Sequence, residues 1–116
     1  MSTSVREFFN KRVTEALKRN PNRAKEVQAV FQFRVSGPDG GIWTADLASS
    51  PPSCVQGESI PPQCTVEVAD QDLGAMIDGG MQVAMQVFLS GKLKLSGDTA
   101  LLMRLSKILQ MGEPSS

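Results

Sequence analysis

Histidine and tyrosine are absent from this chain of 116 residues. The missing histidine removes the commonest general base, the Ser-His-Asp and Cys-His systems, and every imidazole metal ligand. Ser90, Ser96 and Ser106 therefore have nothing to activate them, and the sequence reads as that of a protein that is not an enzyme, with no catalytic residues, no metal ligands and no cofactor. Cysteine is scarce: Cys54 and Cys64 lack CxxC spacing, and residues 1–12 contain no apolar stretch of the signal-peptide kind. They read as reduced thiols in a cytoplasmic protein. No run approaches the ~20 apolar residues that a membrane-spanning helix needs.

Net charge is missing too, with 12 basic residues against 12 acidic ones. A nucleic-acid binder concentrates a positive excess on one face, so nucleic acid is not an expected partner. The neutrality nonetheless hides a gradient. Residues 1–30 hold seven Lys or Arg against three Asp or Glu, net +4, and the remainder holds five against nine, net −4. Arg6, Lys11, Arg12, Lys18 and Arg19 lie in the basic part, which suits either a solvated helix face or transient contact with an anionic membrane surface.

What is present reads as one domain over residues 1–116, with alternating helical and strand periods. Phe8, Phe9, Val13, Ala16 and Leu17 recur at helical spacing, until Asn20-Pro21-Asn22 stops the helix. A second short helix is expected over residues 21–27. Phe31, Phe33 and Val35 then alternate with polar residues as a strand, Ser36 to Gly41 turns the chain, and residues 42–47 form the hairpin partner with Trp43, Ala45 and Leu47 on one face. Residues 54–57 make a weaker third strand, and Cys64, Val66 and Val68 mark a fourth. Asp70 caps a helix carrying Leu73, Met76 and Ile77, which Gly79-Gly80 closes. Residues 82–88 form another short helix. Leu93 and Leu95, between lysines, form a fifth strand, and Leu101, Leu102, Leu105, Ile108 and Leu109 a final helix. The tail at residues 112–116 reads as frayed. Each strand alternates, so one sheet face is expected to be wet and the other covered by helices.

The glycine-rich turn after Ser36 lacks phosphate-loop spacing and joins two strands. Asp70, Asp72 and Asp78 lack the calcium-loop pattern. Met76, Met81, Met85 and Met103 suit either a gap-filled core or a wall that accepts apolar ligands of varied shape; helical periodicity by itself points to core.

Three segments, taken in order, resemble the sterol carrier protein-2 domain family, also called non-specific lipid-transfer domains: FQFRVSGPDGGIWTADL at residues 31–47, QCTVEVADQDLGAMIDG at 63–79 and VFLSGKLKLSGDTALLMRLSKIL at 87–109. The resemblance implies an α+β fold: a five-stranded, mostly antiparallel sheet of order 3-2-1-4-5, helices on one face, and a hydrophobic tunnel between them. It implies non-catalytic binding and transfer of sterol, fatty acid, fatty acyl-CoA or phospholipid. Phe33, Trp43, Met76, Ile77, Met81, Met85, Phe88, Leu102, Met103 and Leu105 would line or gate the tunnel. The alternative is a lipid-presenting or regulatory module for a separate lipid-metabolising enzyme partner; a purely structural domain would have a filled core. Two departures stand out. Gly80-Met81-Gln82-Val83 replaces the family's Asn/Asp-Pro helix start, and the chain ends Pro114-Ser115-Ser116 without a peroxisomal tripeptide.

Overall fold

The computed structural model describes residues 4–49, 51–58 and 60–110. The tail expected to fray, residues 112–116, lies outside the described residues, as does the side chain of Ser106. Five strands, β1 (Val30–Ser36), β2 (Gly41–Asp46), β3 (Ser53–Gln56), β4 (Cys64–Ala69) and β5 (Leu93–Gly97), form one sheet in the order β3-β2-β1-β4-β5. Only the β1–β4 pair is parallel; the other pairs are antiparallel. The architecture is the α+β arrangement that the resemblance implied.

The β1–β2 hairpin closes through a Gly40 N–H to Gly37 C=O bond of 3.0 Å. Gly37 is held at φ +103°, and a Cβ there would collide with the Asp70 carboxylate, so glycine is required twice over. The same turn anchors the N-terminal helix. Asp39 accepts from the Val5 amide at 2.6 Å and the Ser4 hydroxyl at 3.1 Å, satisfying donors that a helix start leaves without partners. Asp39 donates its own amide to Asp70 at 2.9 Å. This corrects the expected cap, because Ala69 occupies the N-cap position and Asp70 is the first residue of the helix. Its carboxylate serves the hairpin turn and the Gln71 amide instead.

The helix over residues 5–19 is not a regular α-helix, as its periodicity had suggested. An α-turn, α1 (Val5–Glu7), leads into a π-helical segment, Phe8–Val13, and then into α2 (Thr14–Arg19). Val5, Phe8, Phe9, Val13, Ala16 and Leu17 are all buried, so the apolar stripe was legible although its winding was not. A short α3 (Asn22–Lys25) follows Pro21. Then α4 (Asp70–Gly79) and α5 (Met81–Leu89) meet at Gly80, and a 3-10 turn at Thr99–Leu101 opens α6 (Leu102–Gln110). None of the helices among the described residues is long and apolar enough to cross a membrane.

Phe31, Phe33, Val35, Trp43, Ala45, Cys64, Val66, Val68 and Leu93 are buried on the inner face of the sheet. The outer face is less wet than strand alternation predicts. Gln32 and Thr44 point outward, yet they are 5% and 1% exposed. Residues 57–58 and 60–62 of the connection lie over them: the Thr44 hydroxyl donates to Gly57 C=O at 2.7 Å, Arg34 donates to both Glu58 and Gln32, and Ile60, Pro61 and Pro62 line a cleft with Gln32. To carry the chain from β3 at one edge to β4 beyond β1, this connection must pass over two strands; Thr44 bonds it directly and Gln32 is tied to its Glu58 through Arg34.

Candidate functional site

Strand register arranges the inner face into rows. Trp43 pairs with Phe33, Phe33 with Val66 and Val66 with Leu95, so one continuous apolar row runs across β2, β1, β4 and β5. Exposure along it is graded. Trp43, Phe33 and Val66 are 0–1% exposed, whereas Leu95, on the edge strand β5, is only half-buried. The second row, Val35–Val68–Leu93, is buried throughout.

The ten residues expected at a ligand site divide into groups. Phe33 and Trp43 lie under the N-terminal helix, where Phe9 stacks on Trp43 at 4.8 Å and 21° and lies against Phe33 at 4.8 Å and 44°. Met76, Ile77 and Leu105 are buried on α4 and α6. Met81, Phe88 and Leu102 pack on the core but are half-exposed, and Met85 is half-buried beside them on α5. Met103 stands 68% exposed on the outer side of α6. Sequence reasoning assigned no ligand role to Phe9, Val66, Val83 or Leu95, although the helical and strand periods placed Phe9, Val66 and Leu95 on apolar faces. Nothing in the pattern marked Leu89, which is 77% exposed at the end of α5.

Apart from Cys54 on β3, the half-covered side chains that pack on the core lie on two helices and one edge strand, namely α5, the start of α6 and β5. The reason is local. Helix α5 carries no charged residue and buries only Ala84 and Val87 fully, so Met81, Val83, Met85 and Phe88 flank that narrow stripe without being enclosed. At the sheet edge, Leu95 has no further strand beside it among the described residues. Met81, Val83, Phe88, Leu95 and Leu102 pack on the same buried core, and apolar surface of that kind is suited to binding by burial rather than by polar recognition.

The basic residues lie elsewhere. Arg6 is drawn into the hairpin turn, 3.8 Å from Asp39. Lys11, Lys18 and Arg19 are exposed, and Arg12 is half-buried. Arg19 and Arg23 flank an open cleft of about 510 Å³ that Ala16, Asn20 and Glu26 complete. Among the described residues neither arginine has an ion-pair partner, while Glu26 pairs with Lys107 at 3.7 Å.

Both cysteines are free, since β2 and β1 separate their strands. Burial pushes the Cys54 thiol up to about 12, and burial together with the Asp98 charge pushes Cys64 up as well. Neither is a nucleophile near neutral pH. Among the described residues no group of three Cys, Asp or Glu side chains is disposed to hold a metal ion.

Known proteins share this architecture. The SCP-2 sterol transfer family matches residues 10–110. Hydroxysteroid dehydrogenase-like protein 2 of Rattus norvegicus is 38% identical over 86 residues, 73% of this chain but 16% of that protein; the chain thus spans about a sixth of that relative's length. Sterol Carrier Protein 2 from Yarrowia lipolytica, in its apo form, superposes with a TM-score of 0.69 at 20% identity, covering 96% of this chain and 88% of that one. Palmitated SCP2L2 from Aedes aegypti superposes with a TM-score of 0.67 at 28% identity, covering 95% and 96%.

Proposed function

The chain belongs to the SCP-2 sterol transfer family, and from that premise we propose that it binds and transfers a lipid in an apolar cavity between sheet and helices, without catalysing a reaction on it. The observation that carries this reading is the apolar row from half-open Leu95 inward to Phe33, which shares one core with the loosely covered side chains of α5 and α6. Each methylene buried there contributes about 0.8 kcal/mol. A chain of about fifteen carbons contributes roughly 12 kcal/mol, which after about 4 kcal/mol of association cost leaves about the 8 kcal/mol of micromolar affinity, with no polar anchor required. Met76, Ile77, Met81, Met85, Phe88, Leu102 and Leu105 are the proposed lining, with Phe33 and Trp43 at its inner end and Met103 at its rim. Fatty acid is the ligand class favoured, since a family structure from Aedes aegypti is palmitated; sterol, acyl-CoA and phospholipid are the competitors to test.

Titrating delipidated protein with a fluorescent fatty acid decides the matter. Saturable one-to-one uptake, reversed by unlabelled lipids in a definite order, is the expected result. Absence of uptake by correctly folded, lipid-free protein would identify a closed core and overturn the reading.

Exchange with membranes is proposed to use the exposed part of the basic segment, Lys11, Lys18 and Arg19, with Arg12 beside them and Arg6 contributing only by leaving Asp39. A second reading is favoured by one comparison. The dehydrogenase-like relative matches this chain over a small part of its length, as expected if such domains present lipid to an enzyme partner. That role predicts partner-dependent activity and slow free exchange between vesicles, whereas a carrier exchanges lipid by itself, working in the cytoplasm without a cofactor.

A further inference from the structure

We infer that Phe9, held against Trp43 and Phe33, is the stop that limits how long an acyl chain this domain accepts. The inference rests on the lipid-binding reading and adds a specificity determinant to it.

The row Leu95–Val66–Phe33–Trp43 crosses the strands, so its length is set by strand spacing: three steps of ~4.8 Å, or about 14 Å from β5 to β2. Its outer end is the half-covered one. At its inner end the Phe9 ring, 0% exposed, stacks on Trp43 and meets Phe33, each at 4.8 Å, and Phe8 packs edge-on at 5.0 Å. On the lipid-binding reading, a chain entering at Leu95 would meet aliphatic Val66 first and then this aromatic wall.

The wall is fixed in place rather than merely filling space. The Trp43 indole N–H donates to Asn10 Oδ1 at 2.9 Å, and Asn10 is the neighbour of Phe9 in the π-helical segment Phe8–Val13. In an α-helix successive residues diverge by about 100°. The wider π turn narrows that angle, so one segment can lay Phe9 on the face of Trp43 and bring Asn10 to its polar edge. Two adjacent residues thereby grip the same indole, and π segments recur where function needs such a departure from α geometry.

Trp43 is the one tryptophan of the chain, so it reports on the stop directly. Fatty acids of one length, brominated at successive carbons, are added to the full chain, with binding read separately by displacement of a fluorescent fatty acid. Quenching of Trp43 should rise toward the methyl end and peak with the terminal bromine. Binding with no dependence of quenching on bromine position would overturn the inference while leaving lipid binding intact. Failure of every fatty acid to bind would overturn both.

A length series gives the second arm. Affinity should climb about fourfold per added methylene and then level off. In Phe9→Ala the break should move to chains longer by about two or more methylenes, because a close-packed interior offers that room only when a ring is removed. Phe9→Leu, which keeps the core filled, should move it less and guards against loss of the fold. An unmoved break in either folded variant would overturn the stop.

Discussion

Asn10 is an exposed residue, yet it satisfies the indole N–H of a tryptophan that is 0% exposed. Removing it strands a buried donor. Asn10→Ala is therefore expected to cost about 1–3 kcal/mol, seen as a lower urea midpoint at unchanged slope, whereas Asn10→Asp keeps an acceptor and should cost less. A second residue-scale expectation concerns Cys54. With the folded thiol raised from 9.0 to about 12, about one molecule in a thousand is thiolate at pH 9. Iodoacetamide should label the native protein far more slowly than the urea-unfolded chain at that pH. The sign for stability follows from the raised value. The protonated thiol's contribution is intact below about pH 9 and is lost as pH rises toward about 12, and Cys54→Ala should flatten that decline.

Among the elements, α5 is the one whose sequence and surroundings disagree. It is uncharged and rich in apolar residues, but its fully buried stripe is only Ala84 and Val87. Its position relative to α4 is set at Gly80, where φ +75° and ψ −158° lie in a region essentially reserved for glycine. Gly80→Ala is expected to destabilise the fold by about 1–3 kcal/mol. Because it also re-aims Met81, Met85 and Phe88, it should weaken fatty-acid uptake by more than its effect on the folded fraction. Equal losses in uptake and stability would argue that α5 is scaffold only. The Gly79 position constrains the joint from the other side, since a Cβ there would overlap Val83.

For the whole molecule, ligand binding and stability are linked. A lipid present at about one hundred times its dissociation constant adds about 2.7 kcal/mol. For a chain of this size that raises the unfolding temperature by about 10 °C, measurable by calorimetry with and without palmitate. The charge gradient gives another expectation at this scale. Transfer from anionic vesicles should slow as salt rises, since exposed Lys11, Lys18 and Arg19 act through a screened field. Lys18→Glu combined with Arg19→Glu should remove most of that salt dependence while leaving fatty-acid affinity in solution unchanged. Transfer that ignored both salt and lipid charge would exclude the basic segment from docking.

The sequence by itself determined what periodicity carries. The Phe8–Leu17 stripe, the Phe31–Phe33–Val35 and Cys64–Val66–Val68 alternations and the Leu101–Leu109 face all turn inward as their spacing requires, because a 3.6- or 2.0-residue period already says which side chains share a face. The absence of histidine excluded imidazole chemistry in the same direct way. Tertiary structure alone decided which faces meet and how completely. The burial of Gln32 and Thr44 depends on where residues 57–58 and 60–62 pass, the Asp70 carboxylate turns from its helix to a hairpin 31 residues earlier, and the π turn arises where Phe9 and Asn10 together engage Trp43, 33 residues beyond Asn10. The candidate site divides along the same line. Apolar character at Phe33, Trp43, Met81, Phe88 and Leu95 is local and legible, but whether each is sealed or half-open depends on neighbours contributed by distant segments, and no local pattern encodes that contact.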